Sequence, residues 1–122
     1  MLKSKSTVVI GASINPERYS NKAVNKLLEY NHTVYALGLK EGVIKNININ
    51  TSLPLLKGID TVTLYINPTN QTDWYDYVLS LKPKRVIFNP GTENKTFENL
   101  LHQNNIETIE ACTLVLLATH QY

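Results

Sequence analysis

Short runs of apolar and β-branched residues alternate along the chain with segments whose apolar residues recur at helical spacing. The first run, Thr7–Ile10, is continuous, as expected for a strand buried between two layers. In the next segment, apolar residues recur at the spacing that places them on one face of a helix: Ala23, Val24, Leu27 and Leu28. Ser20 is a good N-cap for this helix, and Asn31 suits a left-handed end. A strand followed by a helix is therefore predicted.

The same alternation continues to the end of the chain. Four more strands are predicted at 33–37, 61–66, 85–88 and 107–109. Helices are predicted from about Thr69 to Pro83, around Phe97 to Leu101, and as a buried final turn at 114–117. Five strands alternating with helices predict an α/β, Rossmann-like three-layer sandwich with a five-stranded parallel sheet.

Residues 38–58 are the least regular part of the chain. Ile44, Ile47 and Ile49 alternate only loosely with lysine and asparagine. We interpret the segment as a loop followed by a short helix at about 52–56. No linker or repeat interrupts the pattern, so residues 1–122 are predicted to form a single domain.

Composition and charge exclude several classes of function. The formal charge of +2 without a lysine or arginine run argues against a nucleic-acid partner. No apolar stretch is long enough to span a membrane, and a cytoplasmic location is the default expectation. Cys112 is the single cysteine and the three histidines are scattered, so neither a disulfide nor a metal site is predicted.

The residues of chemical interest follow the predicted strands. In an open α/β sheet, ligands bind outside the carboxyl ends of the strands. After the first strand, Gly11 permits a tight turn, Ser13 supplies a hydroxyl, and Arg18 supplies a guanidinium close to a helix start. This combination suits a phosphate group. An ordinary strand-to-helix turn also needs small residues, so this loop alone does not decide between the two.

The loop differs from the dinucleotide-binding fingerprint. That motif needs three glycines, and only Gly11 is present. An NAD site also needs an acidic residue after the second strand, where this chain has Lys40 instead. A lysine there suits a ribose that carries a phosphate, as in NADP or coenzyme A (CoA). Lys40 is alternatively an ordinary exposed lysine.

Two neutral, rigid turns follow the third and fourth strands, at Asn67-Pro68 and Asn89-Pro90-Gly91. They could line a narrow channel for an extended pantetheine arm, with amide and backbone groups facing its amide bonds. The alternative is that both turns only mark the ends of strands, because a residue before proline favours extended or turn geometry.

Taken together and in order, three stretches resemble the CoA-binding domain family: 9–13 with 15–20, 89–94, and 110–115. The resemblance covers nearly the whole chain and is closest to short, stand-alone bacterial members described as CoA-binding proteins. It extends to the amino-terminal domain of the succinyl-CoA synthetase alpha subunit. The phosphorylated histidine of that enzyme lies in a different domain, so its catalysis is not implied.

The resemblance implies a site for CoA whose nucleotide end lies across the carboxyl ends of the first two strands. The implied residues are Gly11, Ala12 and Ser13 at the diphosphate with Arg18 and Ser20 nearby, Lys40 at the nucleotide phosphate, Tyr65, Asn67 and Pro68 at the adenine or the start of the pantetheine arm, and Pro90 and Gly91 at its far part. The region after Lys40 is shorter than in the synthetase and has fewer glycines.

Three hypotheses of function remain at this point. The leading one is a CoA or acyl-CoA binding module without catalytic residues, acting as a sensor or buffer. The second is an NADP-dependent oxidoreductase, which Lys40 would allow. The third is an interaction subunit whose ligand site is vestigial. Cys112 is interpreted as structural, with a mixed disulfide to CoA or a nucleophilic role as the alternatives.

Overall fold

In the computed structural model, which describes residues 4–122, seven strands form one sheet. In chain order they are β1 (Thr7–Ile10), β2 (Val34–Leu37), β3 (Gly42–Ile44), β4 (Ile47–Asn50), β5 (Thr61–Leu64), β6 (Arg85–Phe88) and β7 (Glu107–Glu110). The spatial order is β3-β4-β2-β1-β5-β6-β7. Every neighbouring pair is parallel except the antiparallel pair β3 and β4.

Helices cover both faces of the sheet. They are α1 (Tyr19–Glu29), α2 (Pro68–Gln71), α3 (Tyr75–Leu81), α4 (Lys95–Gln103) and α5 (Thr113–Ala118), with a 3₁₀ turn at Thr72–Trp74 between α2 and α3. The predicted helix from Thr69 to Pro83 is thus divided into three pieces. The final helix was expected to be a buried turn; Leu116 and Leu117 are buried, but Val115 is 55% exposed, so the helix is buried on one side only.

The central strand β1 divides the core into two layers because its side chains alternate between faces. Val8 and Ile10 pack in the cluster that includes residues of α3 and α4. Val9 packs on the opposite side with residues of α1 and α5. Both clusters consist largely of fully buried aliphatic side chains. This arrangement confirms the Rossmann-like α/β architecture.

The expectation of five parallel strands was wrong, because residues 42–50 form a β-hairpin. Lys45 takes the left-handed conformation that its tight turn requires, with φ of 55°. Ile49 pairs with Ala36 of β2, so the hairpin extends the sheet beyond its second strand. Burial of Ile44 and Ile49 supplies the driving force. The short helix expected at 52–56 is also absent, and that segment has no regular secondary structure.

Helix α1 begins one residue before the predicted cap. Arg18 occupies the N-cap position in extended conformation, and Ser20 lies buried inside the first turn. At the other end, Asn31 has φ of 66°, the left-handed conformation predicted for it. Within residues 4–122, no helix combines the length and apolar character that crossing a membrane requires.

Candidate functional site: a groove at the carboxyl ends of the strands

Two adjoining cavities lie across the carboxyl ends of β2, β1, β5 and β6. One has a volume of about 320 Å³ and the other about 420 Å³. They share the residues Gly11, Arg18, Tyr65 and Ile66. The two cavities therefore form one continuous depression, which we call the groove.

The floor of the groove is a backbone turn at Gly11. Its φ is 95°, and a Cβ atom there would lie 2.8 Å from the carbonyl oxygen of Tyr65. The amides of Gly11 and Ala12 both donate to the Leu37 carbonyl, each at 2.9 Å. These two amides are therefore already paired, and what Gly11 supplies is space and curvature instead of hydrogen-bond donors.

The turn that follows is held by its own side chains. Ser13 Oγ accepts a hydrogen bond from the amide of Asn15 at 3.1 Å, and Asn15 Oδ1 accepts one from the amide of Glu17 at 2.9 Å. Asn21 Nδ2 of α1 donates to the Ser13 carbonyl at 2.9 Å. These bonds anchor the loop to the helix, so its shape is set before any ligand arrives.

The amino terminus of α1 opens into the groove. No side chain caps this eleven-residue helix, and its first turn carries no acidic residue. Tyr19 and Ser20 line the cavity beside the exposed Arg18. Unpaired first-turn amides and the helix dipole favour an anion at this position. Glu17 lines the same cavity and opposes part of this positive potential.

Exposed apolar side chains flank the end of the groove nearest β2. Leu39 is 90% exposed and Ile14 is 61% exposed, and both line the cavity with Lys40. Gly38 brings this end of β2 close to the first loop, because a Cβ there would lie 2.5 Å from the Ala12 carbonyl oxygen. The sequence interpretation missed Leu39 and Ile14, although large apolar residues in loops at the ligand edge were the available signal.

Tyr65 spans the middle of the groove, and its hydroxyl points into the protein. Burial raises the pKa of Tyr65 well above its ordinary value, and this effect outweighs the opposing influence of the Thr113 and Thr63 hydroxyls. Within the described chain the phenol oxygen has no hydrogen-bond partner of good geometry. Tyr65 thus remains a neutral phenol at physiological pH.

Asn89 fixes the far wall of the groove. It is only 2% exposed, and its Nδ2 donates to Thr63 Oγ1 at 2.7 Å and to the Leu64 carbonyl at 2.8 Å. Its Oδ1 accepts from the amide of Thr113 at 2.9 Å. One buried side-chain amide therefore connects β5, β6 and the start of α5. The turn at 90–91 begins at the next residue of the chain, so its position is fixed by the same bonds.

A second buried amide supports the same wall. Gln71 Nε2 donates to the carbonyls of Ile66 at 3.0 Å and Thr92 at 2.7 Å. Its Oε1 accepts from Asn94 Nδ2 at 3.0 Å, while Asn94 Oδ1 caps α4 through the amide of Phe97. Sequence reasoning missed Gln71, because a polar residue on a helix gives no sign that its side chain is buried.

The structure brings together all of the predicted site residues except one. Those that line the groove are Gly11, Ala12, Ser13, Arg18, Ser20, Lys40, Tyr65, Asn67, Pro90 and Gly91. Pro68 instead occupies the first turn of α2, and Asn67 also caps that helix through Oδ1 and the amide of Asn70 at 2.9 Å. In the part of the chain described, no group of three or more acidic, histidine or cysteine side chains is placed to hold a metal ion.

The fold and the groove define a Rossmann-like α/β domain with a groove at the carboxyl ends of its strands, the edge at which open α/β sheets generally bind ligands. The chain belongs to the CoA binding domain family, whose sequence model matches residues 5–118. No curated protein gives a significant match.

Several solved structures have a similar fold. One described as an uncharacterized protein is 45% identical, with a TM-score of 0.97 over 99% of this chain and 100% of that chain. A protein of Thermus thermophilus is 22% identical, with a TM-score of 0.86 over 98% of this chain and 91% of that one. A dinucleotide-forming acetyl-coenzyme A synthetase 1 of Ca. Korarchaeum cryptofilum, solved with phosphate and ADP, is 14% identical, with a TM-score of 0.70 over 88% of this chain and 26% of that chain.

Proposed function

We propose that this protein binds CoA or an acyl-CoA in the groove and acts as a binding or regulatory module without catalysing a reaction. The observation that carries the proposal is the order of chemistry along the groove. A cationic and apolar end at Lys40 leads past the open start of α1 to neutral turns at Pro90. CoA has the same order, with a phosphorylated nucleotide, a diphosphate and a long neutral arm.

The nucleotide would occupy the cavity nearest β2. Ile14 and Leu39 offer apolar surface for a purine ring, and burying their exposed area contributes to affinity. Lys40 lines the same cavity and would pair with the ribose phosphate. The strand before it ends without an acidic residue, which favours a phosphorylated ribose over that of NAD.

The diphosphate would lie at the start of α1. Arg18 supplies a guanidinium, and the uncapped first turn supplies backbone donors. Since the amides of Gly11 and Ala12 are already paired with Leu37, these two residues would contact the ligand through their surface alone. The donors proposed here are those of Ser13 and the first turn.

The pantetheine arm would run over Ile66 toward the turn at 90–91. This part of the groove is lined by Asn67, Pro90, Gly91 and Thr92, which are uncharged and suit an arm whose polar groups are neutral amides. The walls are held by Asn89 and Gln71, so the channel is formed before binding. Preorganisation of this kind lowers the entropy cost of ordering a flexible ligand.

The lining of the groove supports a role in binding. Among the described residues it includes no histidine, cysteine or aspartate, and its one carboxylate, Glu17, makes no hydrogen bond to a serine or threonine hydroxyl of the lining. No pair of nucleophile and general base is therefore formed there. Cys112 lies outside the lining, at the start of α5. The Tyr65 hydroxyl is directed toward Thr63 and Thr113, away from any ligand in the groove.

Calorimetric titration with CoA, dephospho-CoA and NADPH tests the proposal. We expect saturable binding of CoA, weaker binding of dephospho-CoA, and a loss of this difference in Lys40→Ala. Lys45→Ala is the matched control, because Lys45 is exposed in the β3–β4 turn outside the groove. Binding of NADPH alone would support the oxidoreductase, and binding of none of the three would support the interaction subunit.

A further inference from the structure

A separate cavity of about 680 Å³ lies at the amino ends of β1, β5 and β6, opposite the groove. Its walls come from the segment before β1, the loop before β5 and the end of α3. The lining residues are Ser4, Lys5, Ser6, Leu56, Lys57, Gly58, Ile59, Asp60, Ser80, Leu81, Lys82 and Lys84. We call this the amino-end cavity, and it shares no residue with the groove.

The rim of the amino-end cavity carries more positive charge than its surroundings neutralise. Four lysines line it against a single carboxylate, Asp60. Asp60 is 3.9 Å from Lys84, whose side chain is 82% exposed, so this ion pair is weak. Lys57 and Lys82 have no carboxylate within 4.0 Å in the described part of the chain.

One further cation lies near the cavity but outside its lining. Arg85 begins β6, its Nε donates to Thr61 Oγ1 at 2.8 Å, and its guanidinium lies over the Tyr122 ring. Burial and the charge of Arg85 lower the pKa of Lys5, against the opposing influence of Asp60 and Glu107. Lys5 Nζ donates to the Tyr122 carbonyl at 2.8 Å. Among the described lining residues, positive charge therefore exceeds negative charge, and Asp60 offsets only part of it.

The base of the amino-end cavity is apolar. Ile59 and Leu81 are buried there, and Leu56 packs half-buried against the same core cluster. Gly58 has φ of 70°, and a Cβ atom at this residue would have no neighbour within 4 Å, so the loop is open at this point. An apolar base with a cationic rim matches a ligand that has a charged head and an organic body.

We propose that the amino-end cavity binds a small phosphate ester, with Lys57 and Lys82 holding the phosphate and the organic group covering Leu56. Lysine is a compact, rotatable donor that binds phosphate as a point charge. The carboxyl end of α3 places partial negative charge near Lys82, which makes Lys57, in the loop before β5, the more important of the two. This site is independent of the proposed CoA function.

Amide chemical shifts during a titration with phenyl phosphate test this site residue by residue. We expect saturable shifts at Lys57, Gly58, Lys82 and Lys84, with a dissociation constant of about 1 mM. Phenol should cause no such shifts, and inorganic phosphate should bind more weakly because it leaves the apolar base uncovered. Since the readout is local, its outcome does not depend on whether the groove binds CoA.

The double variant Lys57→Gln/Lys82→Gln should weaken binding about tenfold, as expected for two charge-assisted contacts near solvent. Lys26→Gln/Lys45→Gln removes the same charge from distant positions and should leave the affinity unchanged. The proposal is wrong if these amides show no saturable shift, if phenol produces the same shifts, or if both double variants weaken binding equally. Equal affinity for inorganic phosphate would overturn the assignment of an ester.

Discussion

The two ends of the sheet are formed by different kinds of chemical group. At the carboxyl end, backbone turns at Gly11 and Gly38 and the buried amide of Asn89 determine the shape of the groove. At the amino end, long cationic side chains line the cavity. Outside this lining, the Arg85 guanidinium lies 4.5 Å from the centre of the Tyr122 ring. The first end should therefore be sensitive to small changes in backbone and packing, and the second to charge and pH.

The largest effect is expected for Gly11→Ala. The new Cβ would meet the Tyr65 carbonyl at 2.8 Å in a backbone conformation with positive φ, which should reduce the free energy of unfolding by about 3 kcal/mol. Gly91→Ala is the control, because Gly91 also has positive φ but nothing lies within 4 Å of its Cβ position. Its loss should be about 1 kcal/mol. Urea denaturation measures both, and equal losses would contradict the close contact.

The next largest effect is expected for Asn89→Ala. It should reduce the free energy of unfolding by about 2 kcal/mol, because it leaves buried polar groups unpaired. The variant leaves the Thr113 amide and the Leu64 carbonyl without their partner. Asn67→Ala is the matched control, since it removes an exposed cap bond of α2 and should cost about 0.5 kcal/mol. If urea denaturation ranks the two variants the other way, Asn89 does not hold the wall.

Glu98 is a charged residue near the carboxyl end, where backbone turns and buried amides otherwise determine the structure. Burial, and then the neighbouring Glu110, raise the pKa of Glu98 above 4.5, and one carboxylate oxygen has no partner in the described chain. The folded protein thus favours the protonated form, whose stabilisation is complete below pH 4.5 and is lost as the pH rises.

Glu98→Gln should therefore raise the melting temperature by about 3 °C at neutral pH and change it little at acidic pH. Glu93→Gln is the comparison, because Glu93 is exposed. A stabilisation that is the same at both pH values would show that the gain does not come from the ionised carboxylate.

The smallest effect is a pH dependence at the amino end. Burial, Lys5 and Arg85 lower the pKa of His32 below 6.5, and its Nδ1 accepts from the Lys5 amide at 3.0 Å. The unfolded chain binds a proton at His32 more readily than the folded protein does. The contribution of neutral His32 to the free energy of unfolding is therefore fully present above pH 6.5 and declines as the pH falls below it.

Thermal melts at a series of pH values should show that decline. It should be smaller in His32→Gln, and it should persist in His102→Gln, a variant of an exposed histidine. A decline unchanged in His32→Gln would assign it to another group.

Much of this architecture could be predicted from the chain. The runs at β1 and β6 are buried on both faces and so leave a strong apolar signal. The loops after them carry glycine and proline, which mark turns. Since the carboxyl ends of parallel strands share one edge, placing the site residues there followed directly, and the structure brings all but Pro68 into the groove.

The remaining features depend on contacts that a linear pattern does not contain. The β3–β4 hairpin was missed because both strands are short and half of β4 is asparagine, and its stability comes from pairing Ile49 with Ala36. The paired state of the Gly11 amide depends on the Leu37 carbonyl of another strand. Similarly, the buried Gln71 side chain is held by the Ile66 carbonyl and by the Thr92 carbonyl, which lies 21 residues further along the chain.

Amide chemical-shift mapping with CoA tests the central claim most directly, because it reports which end of the sheet the ligand contacts. The account predicts that shifts at low CoA concentration concentrate at Ser13, Tyr19, Ser20, Lys40 and Asn67, with Lys57 and Lys82 unaffected until much higher concentrations. Shifts that first appear at Lys57 and Lys82, or no saturable shifts at the carboxyl end, would contradict it.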